Sequence, residues 1–259
     1  MGMSSSEVED LRVAKELLDS PGFAARISHV VGTPIEKGFE LLPQKWKPTV
    51  ADATRRSIEV ALDVAVRTID ADSTRAPSDW WHKLAVGTTG AAGGAFGLPA
   101  LAIELPVSTT IMLRSIADIA RGQGEDIRAP HSRLECDQVL ALGGASRKDD
   151  AAETGYFAVR TVMAKAVSEA VRHVAERGIG ESGAPALVRF ILAVASRFSI
   201  NVSQKAAAQA LPIVGAVGGA VINTMFIDHY QRVARGHFAV RRLERAHGEE
   251  EVKRAYLEL

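Results

Sequence analysis

Two groups of charged residues are the first candidates for chemistry in this chain of 259 residues. Each combines an acid with basic neighbours at helical spacing: Arg114, Asp118 and Arg121 in one, and Asp228, His229 and Arg232 in the other. On a helix Asp118 can reach both of its arginines, and Asp228 has the i,i+4 spacing of an ion pair with Arg232. Such groups could hold a lipid headgroup, act as the acid and base of an enzyme, or form solvated helix faces.

Signatures of common catalytic and cofactor sites are missing from the sequence. It contains no G-x-x-x-x-G-K-[ST] loop, no H-E-x-x-H pair and no G-x-S-x-G turn, and neither GTTGAAGG nor GAVGGAV contains G-x-G-x-x-G after a credible strand. His229 and His237 are eight residues apart, too far to share one metal ion, and we expect both at the surface or rim. Cys136 lies between Glu135 and Asp137, which should raise its pKa and make it a structural cysteine. The sequence therefore predicts no catalytic residue, metal site or cofactor.

Two charge-free stretches, Leu84–Ile103 and Ala206–Ile227, are rich in glycine at helical spacing. The glycines are Gly87, Gly90, Gly94 and Gly97 in the first stretch, and Gly215 and Gly219 in the second. On helices they would leave strips of bare backbone, at a cost of about 1 kcal/mol per glycine relative to alanine. Close approach of another helix or a lipid chain could offset that cost. We predict that the two helices pack against each other.

The same stretches raise the question of a membrane. They could form a buried hairpin in a helical bundle, insert into or take lipid from one leaflet, or span the bilayer. Pro99, Pro106 and Pro212 limit each straight helix to about 15 residues, or roughly 22 Å, whereas a hydrocarbon core is about 30 Å thick. The buried hairpin is therefore favoured.

Glu104 is the only charge between Lys83 and Arg114. An unpaired carboxylate in this apolar region would be costly to bury. We predict a buried Glu104 that pairs with an arginine from another helix and stabilises a kink between Pro99 and Pro106. Its role would be structural.

The periodicity predicts an all-α protein, a single multi-helix bundle with buried glycine-rich helices at its core. We expect N-terminal amphipathic helices and a linker over 1–49, a helical domain over 50–246 and a polar tail over 247–259. The predicted helices are Glu7–Leu18, one after Pro21, Val50–Ile69, one after Pro106, Leu134–Leu142, Tyr156–Ala175, Ala186–Phe198, and a last one from near Pro212 to about Ala246.

The composition indicates which partners and which cellular compartment to expect. Lys+Arg and Asp+Glu are both 31, so there is no global bias towards nucleic acid. One cysteine and no visible secretory signal favour a reducing cytoplasm, and richness in alanine and arginine is typical of bacteria. Five arginines crowd the last helix and could face anionic lipid: Arg232, Arg235, Arg241, Arg242 and Arg245.

The motifs resemble the EcsC family across approximately residues 50–245. The matching segments are Gly87–Pro106, Arg114–Asp126, Leu140–Gly144 (LALGG), Gly155–Lys165 and Ala206–Gly219. The family is named for a component linked with a bacterial ABC transporter operon. The resemblance implies a helical, intracellular bacterial protein near membrane processes, and it carries no catalytic residues over.

These observations lead to one leading expectation and two alternatives. We expect a non-enzymatic, cytoplasmic protein, peripheral at the inner face of the cell membrane, that binds membrane lipid or another long apolar ligand. One alternative is an enzyme with a site near Asp118/Arg121 and Asp228/His229. The other is an interaction subunit of a membrane transporter or secretion complex.

Overall fold

The computed structural model describes residues 2–68, 98–144, 155–177, 184–211 and 215–259. Within these ranges the chain forms ten helices and no strand, which confirms the all-α prediction. The helices are α1 (Ser5–Leu18), α2 (Phe23–Val31), α3 (Ile35–Glu40), α4 (Trp46–Thr68), α5 (Leu98–Gly122), α6 (Pro130–Leu142), α7 (Gly155–Arg177), α8 (Pro185–Ala210), α9 (Gly215–His247) and α10 (Glu249–Glu258).

The helix boundaries follow local signals in the sequence. Ser4 caps α1 in a capping box with Glu7, whose carboxylate accepts a 2.7 Å hydrogen bond from the Ser4 backbone. Short α3 was not predicted, and α4 begins at Trp46, before Pro48, because proline fits the first turn of a helix. The predicted polar tail contains α10, whose Val252 and Tyr256 are buried. The proposed division at residues 49 and 246 stays a prediction.

Helix α5 runs through Pro106 without a break, so the prediction that a helix begins only after this proline was wrong. The buried face continues on both sides of it through Leu101, Leu105 and Met112. These residues pack in the core beside α4 and α9, and this packing outweighs the roughly 3 kcal/mol that an interior proline costs. The Thr110 hydroxyl donates to the Pro106 carbonyl at 2.8 Å.

Helix α9 contacts most of the other helices of the bundle. Three hydrogen bonds define its direction relative to α5. They join Asn223 to Glu104, Gln231 to Ser115, and Arg242 to Gln123. Residue numbers rise together on the two helices, so α5 and α9 are parallel. Helix α8 runs the other way, since Lys205 lies over the Phe226 ring and Asn201 donates to Tyr230.

Helix α6 is enclosed by the other helices, with every residue from Leu134 to Ala141 buried. It ends in the LALGG motif, whose glycines allow close packing. A Cβ at Gly143 would collide with the Tyr230 ring, and one at Gly144 would collide with the Arg197 backbone. The Gly143 carbonyl also accepts hydrogen bonds from Asn201 and His229. The motif therefore joins α6 to α8 and α9.

Most of the glycine prediction lies outside the described residues. Gly87, Gly90, Gly94 and Gly97 are not among them, nor is the predicted contact of their helix with the second stretch. Gly215 begins α9 and Gly219 is buried within it. A buried glycine-rich core therefore stays a prediction.

Among the described residues, one helix is long and apolar enough to cross a membrane, judged by length and composition alone. It is α8, and 44% of its most apolar window is buried inside the protein. Because core helices of globular proteins share these properties, α8 is weak evidence for a span.

Candidate functional site

The first predicted cluster forms an ordinary helix face on α5. Arg121 donates to Asp118 at 3.0 Å, as the spacing predicts, and both side chains are partly buried. Arg114 is exposed.

The second cluster is divided among several partners. Asp228 pairs with Arg26 of α2 at 2.7 Å, and Arg232 reaches the Ser20 hydroxyl at 3.4 Å. His229 is buried, and its Nε2 donates to the Gly143 carbonyl at 2.8 Å. Burial lowers the pKa of His229 to about 4, so the ring is neutral at pH 7. The prediction of surface or rim histidines was wrong for both His229 and His237 because both side chains pack inside the bundle.

The acids of the two clusters, Asp118 and Asp228, lie at different levels of the bundle. Ser115 of α5 lies beside Gln231 of α9, and the helices are parallel. At 1.5 Å per residue, Asp118 and Asp228 are on the order of 10 Å apart along the axis. The described geometry does not join them in one pocket.

Glu104 is buried and paired, as predicted, but its partner is a lysine. Its Oε1 accepts 2.7 Å and 2.9 Å hydrogen bonds from Lys205 Nζ and Asn223 Nδ2. Lys205 is completely buried and approaches Glu104 from α8, whereas the sequence analysis expected an arginine. The junction Glu104–Lys205–Asn223 therefore ties α5, α8 and α9 together where the two charge-free stretches end or begin.

Exposed apolar side chains occur on α5 and α9 at the level of this junction. Ile103 is 77% exposed, Val107 on the same face of α5 is 47% exposed, and Val221 of α9 is 43% exposed. Since Glu104 contacts Asn223, Ile103 and Val221 lie at the same level. We call these three residues, Ile103, Val107 and Val221, the apolar end.

Three arginines near the end of α9 bind acidic groups of the protein itself. Arg241 donates to Glu125 at 2.8 Å, and Arg245 contacts the same carboxylate. Arg242 pairs with Asp10 of α1 at 2.7 Å. Three of the five arginines that were expected to face anionic lipid therefore pair with carboxylates of the protein.

A cleft of about 630 Å³ opens between α6, α7, α9 and α10. The cleft lining contains buried ion pairs, an apolar wall from α7 and charged residues at the rim. Arg160 grips Glu244 with two hydrogen bonds of 2.6 Å and 3.1 Å, and Arg241 lies 3.4 Å from Glu135 Oε1. None of the site residues predicted from the sequence lines the cleft.

Next to the cleft, a chain of buried hydrogen bonds connects α6, α7 and α9. His237 Nε2 lies 3.1 Å from Glu135 Oε2, and its Nδ1 lies 2.8 Å from the Tyr156 hydroxyl. Burial opposes ionisation of Glu135, but the hydrogen bond from His237 and nearby positive charges hold its pKa at about 2. Burial raises the pKa of Tyr156, so its hydroxyl stays protonated. These hydrogen bonds can hold a proton in place between Glu135, His237 and Tyr156. Neither His237 nor Tyr156 lines the cleft.

The cleft was not predicted from the sequence, although the spacing of three polar residues on α6 indicated a polar face there. His131, Glu135 and Gln138 have i,i+4,i+7 spacing, which places them on one side of α6. The α9 partners of Glu135, His237 and Arg241, come more than a hundred positions later in the chain, and no local pattern reveals such pairs. The prediction for Cys136 is confirmed: burial, with Asp137 and Glu135, raises its pKa well above the ordinary value.

No group of three or more His, Cys, Asp or Glu in the described ranges could hold a metal ion. In comparison with known proteins, the model of the EcsC protein family matches residues 7–243. This match includes the N-terminal helices, which the motif resemblance did not cover. No curated protein and no solved structure matches the chain.

Proposed function

The chain belongs to the EcsC protein family, and from this premise we propose that it is a non-enzymatic, peripheral membrane protein that binds lipid through its apolar end. We place it in the cytoplasm, at the inner face of the cell membrane. A membrane transporter complex is the partner that the family's operon association suggests.

The observation that carries this proposal is the junction Glu104–Lys205–Asn223. It joins the first part of α5, the last part of α8 and the first part of α9 at one end of the bundle. Exposed apolar side chains on α5 and α9 at that end are suited to contact with an apolar partner.

The exposed side chains of the apolar end support the same proposal. Full burial of one valine or isoleucine contributes about 1.5–3 kcal/mol, and these three side chains are already partly covered. Together they would contribute a few kcal/mol, which suits weak, reversible binding. Tight binding would need more apolar surface, for which the adjoining charge-free stretch is the candidate.

The charge distribution predicts which lipids matter. Because Arg241, Arg242 and Arg245 pair within the protein, binding should depend little on anionic headgroups or on salt. Neutral phosphatidylcholine vesicles should therefore bind nearly as well as vesicles that contain phosphatidylglycerol.

Vesicle flotation tests the proposal. The double variant Ile103→Asp/Val107→Asp should lose at least 80% of the vesicle-bound fraction, because charged side chains resist burial in lipid. The matched control is Val162→Asp on α7, where an equally exposed valine (76%) lies on another surface. No flotation of the wild type, or equal loss in the control, would overturn the proposal.

The enzyme alternative stays a prediction. It requires acid and base groups that share an open site, whereas Asp118 and Asp228 lie at different levels and burial lowers the pKa of His229. No described observation favours it over lipid binding.

A further inference from the structure

The cleft between α6, α7, α9 and α10 has the size and the lining of a small-molecule site. Its volume of about 630 Å³ falls within the roughly 300–1,000 Å³ typical of ligand pockets. Its α7 wall extends from Phe157 to Arg172, about 22 Å of helix. Along this wall, the apolar contacts come from Phe157, Ala164, Val167 and Val171. A ligand could lay an apolar chain against this wall.

The two buried arginines of the cleft do not make it an anion site. Both carboxylate oxygens of Glu244 bind Arg160, and Arg241 is held by Glu125 and Glu135. Their positive charges are therefore neutralised inside the protein. The lysine and the other arginine that line the cleft, Lys253 and Arg172, are exposed at its rim, which also carries the acidic Glu249 and Glu250.

Two buried polar groups on α6 remain available to a ligand. Gln138 is only 3% exposed and lines the cleft, yet its side chain makes no hydrogen bond within the described part of the chain. One turn earlier, Glu135 Oε1 has ion-pair neighbours at 3.4 Å and 3.5 Å, Arg241 and His131, but no hydrogen bond within the described residues. Because both side chains line the cleft, a donor on a ligand can reach the Gln138 amide oxygen and the Glu135 carboxylate together.

We propose that this cleft binds an amphipathic small molecule whose polar end is a non-anionic hydrogen-bond donor, a hydroxyl or an amine. The donor binds Glu135 Oε1 and the Gln138 amide, and the apolar part lies along α7. An anionic head is disfavoured because it would meet the Glu135 carboxylate. The site lies near His237 on α9, about 21 Å along the helix from Asn223, so it is separate from the apolar end.

Calorimetric titration with three probes of equal chain length tests the proposal: 1-octanol, octylamine and octanoate. Octanol and octylamine should bind the wild type at least tenfold more tightly than octanoate. Methyl NMR shifts of Val167 and Val171 locate the bound chain. Absence of binding, or equal affinity for octanoate, overturns the proposal.

Three variants separate the polar and apolar contacts. Gln138→Met loses no internal hydrogen bond and should fold, but it should weaken octanol and octylamine binding at least fivefold. Ala164→Trp fills the apolar part of the cleft from an exposed position and should abolish binding. Ala158→Trp introduces the same bulk at an exposed position of α7 outside the cleft and should bind as the wild type does. Unchanged binding in Gln138→Met and Ala164→Trp would contradict the site.

These measurements use no membrane, so their outcome is independent of vesicle flotation. Loss of probe binding with normal flotation would remove the cleft proposal alone. Normal probe binding without flotation would remove the lipid-surface proposal alone.

Discussion

The two ends of α9 stabilise buried charge in different ways. Near its beginning, Glu104 is bound by the cation Lys205 and the amide Asn223, while its Oε2 has no hydrogen-bond partner among the described residues. Near its end, the carboxylates share several arginines, and Glu125 alone accepts from Arg241 and Ser132 besides contacting Arg245. An isolated buried pair depends completely on each member, whereas a network distributes the loss of one member among the rest.

The largest expected effect is at the isolated pair. Lys205→Met should lower the free energy of unfolding by about 3–5 kcal/mol, because it leaves the buried Glu104 carboxylate without a cation. Urea melts followed by circular dichroism measure the change.

The double variant Lys205→Met/Glu104→Met is the control for that experiment. It replaces the pair by apolar side chains of similar volume and should recover most of the lost stability. A single variant as stable as the wild type would show that the pair contributes no net stability.

A smaller effect is expected in the ion pairs of the cleft. Glu244→Gln should cost about 2–3 kcal/mol, since it removes charged hydrogen bonds to Arg160, whose side chain keeps 16% exposure and so retains some water. The same melts measure this loss. The control Glu169→Gln breaks the exposed pair with Arg189. It should leave the urea concentration at the midpoint of unfolding unchanged. Equal losses in the two variants would remove the distinction between buried and exposed pairs.

The smallest effect concerns a buried carboxyl group. Asp137 lies two residues after Glu135 on α6, and neither of its oxygens has a hydrogen-bond partner among the described residues. Burial raises the pKa of Asp137 well above its ordinary value of 3.8. Above pH 3.8 the unfolded chain releases this proton and the folded chain keeps it, so the contribution of Asp137 to wild-type stability falls by about 1.4 kcal/mol per pH unit until the folded pKa is reached.

Asp137→Asn removes that titration. Relative to the wild type, the variant should gain about 1–2 kcal/mol between pH 3 and pH 5, measured by urea melts at both values. A pH-independent difference between the two proteins would mean that Asp137 ionises normally in the folded state.

Comparison of Glu135 with Asp137 shows how far sequence reasoning reaches. Both are acidic residues of one helix and both are almost completely buried. His237 and Arg241 hold the pKa of Glu135 at about 2, whereas desolvation alone raises the pKa of Asp137. The partners of Glu135 are about a hundred residues away in sequence, so the identity of the side chains could not distinguish the two.

Predictions that depended on local spacing were the most successful. The i,i+3 pair Asp118–Arg121 is confirmed, as is the burial of Glu104, which follows from a single charge in a long apolar run. The prediction of a helix break at Pro106 was wrong, because the packing of α5 in the core outweighs the local tendency of proline to interrupt a helix. The surface positions expected for His229 and His237 were wrong because burial depends on which helices cover α9.

The sequence by itself determined the all-α class, the family and most helices, because helical periodicity, capping and motif order are local properties of the chain. Only the tertiary structure decided that Lys205 pairs with Glu104, that Arg241 of α9 pairs with Glu125, and that a cleft lies beside α6. Those features depend on the register between helices far apart in sequence. Many side-chain contacts of about 1 kcal/mol or less together set that register, and no single motif specifies it.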